Sequence, residues 1–189
     1  SVDEVMQQLD AWVSKHGNGL WGNGNLPLIG EELLIPDDWS IQQDREEIKA
    51  FVEVLLSNGR LHAAIEIGLG YFGSTHFLWR QLFDKVLTVE KSHDRIRLFG
   101  SNTREFYKRW VLEDRRSSFA TGMSHDPRVV EKVYSFYGSA DLLFIDGDHE
   151  YRSVLTDWLL YHPLVDVGGV VAFHDVAPAC LARNYGTST

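Results

Sequence analysis

Ala63-Ala64-Ile65-Glu66-Ile67-Gly68-Leu69-Gly70-Tyr71-Phe72-Gly73-Ser74-Thr75 is the stretch whose reading decides the fold. A short apolar run breaks at glycines and opens into His76-Phe77-Leu78-Trp79-Arg80-Gln81-Leu82-Phe83, which has helical spacing. This order predicts a buried strand, a tight turn and a helix. Gly68 and Gly70 let the backbone turn sharply and come close to a ligand. Gly73, at the helix start, lets the helix approach the strand. The free amides of such a helix start favour negative charge. By shape the stretch is a ligand cradle.

Downstream, the same alternation repeats. Strands are expected at 63–67, 85–90, 117–121, 141–146 and 169–173, with helices at 74–83, 93–108, 126–136 and 151–161. Short apolar strands alternating with helices predict an α/β, Rossmann-like, doubly wound parallel sheet. Ligands bind such sheets beyond the carboxyl ends of the strands. Upstream, residues 2–16 read as an amphipathic helix with Val2, Met6, Leu9 and Val13 inward. A Gly/Asn-rich loop over 17–27 carries Trp21 and reads either as an anchored surface loop or as a substrate lid. Ser40 reads as the cap of a helix over 41–56, with Ile48, Phe51, Val52 and Leu55 inward and Asn58-Gly59 as its stop. The chain therefore divides into an N-terminal helical cap, 1–59, and an α/β domain, 60–189.

Composition narrows the partners. Of 189 residues, 44% are hydrophobic and 24% charged, as in ordinary globular domains. The net charge of −9 and the lack of a dense basic stripe argue against a nucleic-acid backbone as partner. Arg104 to Arg116 is interrupted by Glu105, Glu113 and Asp114 and reads as a solvated helix face. The single cysteine, Cys180, permits no internal disulfide, and a reducing, cytoplasmic setting is expected. No apolar run approaches the ~20 residues of a membrane span. A homo-oligomer is expected.

Gly68-Leu69-Gly70-Tyr71-Phe72-Gly73 fits G-x-G-x-x-G, and Glu90 ends the second strand where ribose hydroxyls are usually held. Both fit an NAD site. Glu66 tips the balance. A carboxylate just before the glycines opposes a pyrophosphate and suits a ligand with a cationic amino-acid end, such as S-adenosylmethionine.

Glu66-Ile67-Gly68-Leu69-Gly70 with Gly73-Ser74-Thr75 resembles motif I of class I S-adenosylmethionine-dependent methyltransferases. The order of later segments sharpens this: Ser124-His125-Asp126-Pro127, Asp141-Leu142-Leu143-Phe144-Ile145-Asp146-Gly147-Asp148-His149-Glu150-Tyr151, Tyr161-His162-Pro163-Leu164-Val165 and Gly168-Gly169-Val170-Val171-Ala172-Phe173-His174-Asp175-Val176. Over roughly 60–176 the chain is similar to the methyltransferase domain 24 group, which includes small-molecule and sugar O-methyltransferases. The resemblance implies cofactor roles for Glu66, Gly68, Gly70, Gly73, Ser74 and Glu90, and for Met123 and Ser124 after the third strand. Members often carry an acid in a Gly-Asp-Ser pattern there, where this chain has Gly122-Met123-Ser124. Met123 either packs on an adenine face or fills the core.

Asp146, Asp148 and His149 follow the fourth strand, and His174 and Asp175 follow the fifth. In a parallel sheet both groups reach the same edge. Carboxylates held together repel unless protonated or bridged by a cation, and a hard divalent ion such as Mg²⁺ resolves this. Similar metal-dependent O-methyltransferases place ligands at these two strand ends, which implies Asp146, Asp175 and His174 here. His149 is the candidate base. In the alternative, Asp148 and His149 merely cap the following helix. Among the other histidines, His16, His62, His76, His93, His125 and His162 show no convergent partner in sequence. Trp21 and Trp39 are candidate substrate walls.

The reading that emerges is a metal-assisted methyltransferase acting on a small hydroxylated molecule. An NAD-dependent oxidoreductase and a non-catalytic, C-terminally shortened methyltransferase-like binding domain are the alternatives. The fold usually continues past the fifth strand, and too few residues follow it here. The expectation is a fragment or a shortened fold, with strand five covered by a partner chain or by the N-terminal segment.

Overall fold

The computed structural model describes residues 1–16, 43–70, 73–92, 114–136 and 138–176, without the side chains of 12–16 and Ser74. The loop over 17–27, Trp21, Trp39, Ser40, the helix over 93–108, Trp110 and Cys180 lie outside the described residues.

In chain order the elements are α1 (Val2–His16), α2 (Arg45–Asn58), β1 (Ala63–Ile67), α3 (Ser74–Leu82), β2 (Lys85–Glu90), β3 (Ser117–Thr121), α4 (Pro127–Phe136), β4 (Ala140–Ile145), α5 (Tyr151–Tyr161), a 3-10 turn (His162–Leu164) and β5 (Val165–Phe173). All strands are parallel, in the order β3-β2-β1-β4-β5. β1 is central, and the chain reverses direction across the sheet between β3 and β4. That switch places a crevice over the carboxyl ends of β1 and β4.

Strand periodicity sorts the core into two layers. Ala64, Val86, Leu142 and Phe144 face α1, α2 and α3, where Met6, Leu9, Val52, Leu55 and Trp79 are buried. Ala63, Ile65, Ile67, Leu87, Leu143 and Ile145 face the other side, against Val129 and Val133 of α4 and Tyr161 of α5. Trp79 meets Phe51 edge-on at 5.7 Å, which ties α2 to α3. The N-terminal helices therefore share a core with the sheet.

The starts of α2, β4 and β5 differ from expectation for physical reasons. The helix start expected at Ser40 lies at Asp44, whose carboxylate accepts from the amides of Glu46 (2.8 Å) and Glu47 (3.2 Å). The Asp44 carboxylate reaches the free amides of the first turn, which fixes the cap there. Replacing Asp44 with Ala should cost about 1 kcal/mol in a urea titration. Gly59 does end the helix, in the left-handed conformation at φ 70°. β5 begins at Val165 rather than 169 because Val165 already pairs with Ala140; the register then shifts before Val170 pairs with Leu142. β4 starts one residue earlier than expected, where the buried Asp141 carboxylate accepts from the amides of His62 (2.8 Å) and Ala63 (3.1 Å).

Candidate functional site

The strand ends are level. Gly122 N–H donates to Glu90 O, Gly68 N–H to Val89 O, Asp146 N–H to Ile67 O and His174 N–H to Ile145 O. Gly122, Gly68, Asp146 and His174 therefore leave the sheet side by side. The candidate residues of the first and second halves of the domain share one edge.

Gly68 does more than approach a ligand. With φ at 95°, a β-carbon here would lie 2.2 Å from the Asp146 carbonyl oxygen. Its lack of a side chain lets the ends of β1 and β4 touch. Gly70 (φ 68°) and Gly73 (φ 60°) are also left-handed. Gly73 caps α3 without a side-chain acceptor. Glu90 closes the turn from below, accepting from Leu69 N–H (3.1 Å) and Ser92 N–H (2.9 Å).

Glu66 departs from the expected role as a ligand contact. It is fully buried on the α3 face of the sheet. Trp79 Nε1 donates to Oε1 at 3.0 Å and Thr88, its register partner on β2, donates to Oε2 at 2.5 Å. Burial pushes its carboxyl up to about 7, with the Asp146 charge adding, against the pull of hydrogen bonds from Thr75, Thr88 and Trp79.

His76 also differs from expectation. Its partners are Thr88 Oγ1 (2.8 Å) and Ser117 Oγ (3.0 Å), with its ring 4.8 Å from that of Phe119. Because Thr88 gives its proton to Glu66, the His76 Nδ1–H donates to Thr88 and Nε2 accepts from Ser117. Burial holds the imidazole down to about 3, with the Arg80 charge adding. His62 likewise has a partner, Asp84 Oδ2 at 3.2 Å, and His162 Nδ1–H donates to Trp158 O at 2.8 Å, a structural contact.

These two buried groups make opposing demands on stability. The Glu66 contribution is full below 4.5 and is lost as pH rises through 7. The His76 contribution is full above 6.5 and is lost as pH falls through 3. Between 4.5 and 6.5 they oppose each other. Glu66→Gln should therefore unmask the His76 dependence, with stability rising with pH by up to about 1.4 kcal/mol per unit. Urea midpoints of both proteins across that window check this; parallel profiles would refute it.

After β3, Met123 is 49% exposed, which rules out the core-filling reading and leaves it facing solvent at the site edge. Ser124 is an anchor: its carbonyl accepts from Tyr161 Oη (2.5 Å) and its hydroxyl engages Asp157. Ser74 opens α3, and its side chain is not described.

The acidic and histidine cluster does converge. Asp146, His149 and Asp175 offer ligand atoms within 4.8 Å of one another. His149 Nε2 lies 3.5 Å from Asp175 Oδ2. His174 Nδ1 lies 3.2 Å from Asp146 Oδ1 and 3.3 Å from Asp175 Oδ2, yet neither contact has hydrogen-bond geometry. The Asp146 carboxylate, seconded by Asp175, pushes the His174 imidazole up to about 9, against its partial burial. A nitrogen close to two carboxylates but aligned with neither suits a shared divalent ion. Asp175 is the only non-glycine residue with positive φ (54°) among the described residues, a strained conformation of the kind found at functional sites. Asp148 stays outside the cluster. It is exposed and accepts from Glu150 N–H (3.4 Å) in the turn before α5, whose N-cap is Glu150 without a side-chain cap, so the capping reading holds for neither Asp148 nor His149.

Gln43 was not legible in sequence. It sits in a polar run, Gln42-Gln43-Asp44-Arg45, with no local motif. In the fold it is 5% exposed, and its Nε2 donates to Asp146 Oδ2 at 3.2 Å. An open groove of about 480 Å³, lined by residues including Arg60, His62, Asp84 and Asp141, lies at the opposite, amino edge of the sheet and holds no residue of this site.

No described helix is long and apolar enough to cross a membrane. Known proteins agree with the geometry. Among solved structures, the fold is similar to a Staphylococcus aureus protein assigned as a caffeoyl-CoA O-methyltransferase: 17% identity, 77% of this chain and 65% of that one, TM-score 0.56. It is also similar to an O-methyltransferase from Bacillus cereus in complex with SAH: 22% identity, 89% and 64%, TM-score 0.50. A third likeness is to MycE of the mycinamycin biosynthetic pathway, in complex with Mg, SAH and mycinamycin VI: 15% identity, 90% and 36%, TM-score 0.53. At these identities the likeness establishes the class I methyltransferase fold. An uncharacterized protein of Acanthamoeba polyphaga mimivirus is 38% identical over 52 residues, 28% of this chain. The chain spans about a quarter of the length of that relative and just under two thirds of the first two structures. The family described as "Methyltransferase domain", of the domain 24 group, matches residues 51–176, from α2 through β5 and the Asp175 turn. The chain belongs to the methyltransferase domain family.

Proposed function

We propose that this chain carries the site of an S-adenosylmethionine-dependent O-methyltransferase acting on a small hydroxylated molecule with the help of a divalent cation. The observation that carries it is the contact of the glycine turn with the acidic cluster: Gly68 packs on the Asp146 backbone, and Asp146 belongs to the group formed with His149 and Asp175. A methyl donor in the cradle and a hydroxyl at the cluster are then neighbours. The B. cereus protein binds SAH and MycE binds Mg and SAH, which supports the same pairing here.

In this reading the cofactor lies along the strand ends. Met123 offers a face to the adenine. Glu90, which accepts from the backbone amides of Leu69 and Ser92, accepts from the ribose hydroxyls. The amides at the start of α3, unsatisfied by any side-chain cap, favour the carboxylate of the amino-acid end. Asp146, Asp175 and His174 would hold the cation, with Mg²⁺ favoured by the carboxylate oxygens and a transition metal admitted by the imidazole. The cation supplies a lower pKa for the substrate hydroxyl and a fixed orientation. His149, at the rim, takes the hydroxyl proton on its imidazole. Bound S-adenosylmethionine would supply the methyl group: the substrate oxygen would bond to the methyl carbon as the carbon–sulfur bond breaks, leaving the sulfur as a thioether. Orientation is the main catalytic contribution.

Titration calorimetry with S-adenosylhomocysteine and with NAD, with and without Mg²⁺, tests the reading. Binding of the former alone supports it. Binding of NAD alone would favour the oxidoreductase, and binding of neither would favour a domain without turnover.

A further inference from the structure

Gln43 holds Asp146 through one end of its carboxamide and leaves the other end unused. Nε2 donates to Asp146 Oδ2 at 3.2 Å, while Oε1, buried, makes no hydrogen bond among the described residues. Flipping the amide would set Oε1 against a carboxylate, so the charge of Asp146 fixes which end faces away. A buried carbonyl without a donor is costly, so an unpaired one beside a binding site points to a donor that arrives with the ligand.

The sheet order identifies that donor, given the cofactor reading above, on which this inference rests. S-adenosylmethionine brings three groups of donors: the adenine amine, the ribose hydroxyls and the ammonium. Across β3-β2-β1-β4-β5, Met123 follows β3 and Glu90 ends β2. These account for the adenine and the ribose. The ammonium then falls over β1 and β4, where Gly68 and Asp146 touch. Glu66, the acceptor that the sequence suggested there, is fully buried with its oxygens committed to Trp79 and Thr88. We propose that Gln43 is a cofactor-binding residue, its carbonyl accepting a hydrogen bond from the ammonium of the amino-acid end while its amide steadies Asp146. The segment leading into α2 thus completes the site from 103 residues away in sequence.

Calorimetry with two probes tests this: S-adenosylhomocysteine, and its analogue with hydrogen in place of the amino group. Gln43→Leu should weaken S-adenosylhomocysteine by about tenfold or more and the deaminated analogue by less than about twofold. Gln43→Met, with unbranched volume, should give the same split if the leucine variant packs poorly, with circular dichroism confirming the fold. Equal losses for both probes would show that Gln43 acts only through Asp146, and undiminished binding would show that it acts on neither; each overturns the proposal. A wild-type protein that binds neither probe overturns the cofactor reading itself and this inference with it.

Discussion

Asp146→Asn should lower methyl-transfer turnover by about 10³-fold, equivalent to about 4 kcal/mol of transition-state stabilisation. The side chain is nearly isosteric, so the loss reports charge rather than shape. Asp146 is where the site's interactions meet: Gln43 holds Oδ2, His174 lies 3.2 Å from Oδ1, and its backbone packs on Gly68. Removing its charge takes one hard anionic ligand from the proposed cation, and Mn²⁺ affinity, read by electron paramagnetic resonance, should fall by at least about 10-fold. Folding should change little, within about 1 kcal/mol, because two effects oppose each other. The variant loses attraction to the His174 imidazole, which Asp146 raises. It also loses repulsion of Glu66, whose carboxyl Asp146 pushes up. Turnover within tenfold of wild type, in a folded variant, would remove Asp146 from the mechanism.

Gly68→Ala should damage the fold severely, costing on the order of 4 kcal/mol or more. Two penalties add. The φ of 95° is one that L side chains rarely adopt, and the new β-carbon would meet Asp146 O at 2.2 Å and Gly147 Cα at 2.8 Å. The obstruction is backbone on both sides, so no rotamer change relieves it, and the ends of β1 and β4 must separate. Gly59→Ala is the control. Gly59 is also left-handed, at φ 70°, but a β-carbon there meets nothing within 4 Å. It should cost only about 1 kcal/mol. Urea midpoints of the two variants measure the difference directly. Equal, small losses would mean that the strand ends separate easily and that Gly68 is not the constraint the packing implies. Domain stabilities are about 5–15 kcal/mol, so a loss of this size takes a large part of the total.

The parallel strands, the helices α3, α4 and α5 and the glycine turn were legible in the sequence because their signals are local. Apolar runs of strand length, helical spacing and left-handed glycines act over a few residues, and the chain must satisfy them wherever it folds. The acids and histidines at the strand ends were legible for a related reason: strand direction alone brings the residues after β4 and β5 to one edge. The destination of each side chain was a matter for tertiary structure. Glu66 follows the period of β1 onto the α3 face, and whether that face offers water or Trp79 and Thr88 depends on how a helix packs there. His76 acquires Ser117 from a strand 41 residues away. Gln43 reaches Asp146 across 103 residues from a run without any motif. Hydrogen-bond partners brought together by packing leave no periodic trace in either segment, so local spacing places the functional edge and only the folded core decides which polar groups remain free to act at it.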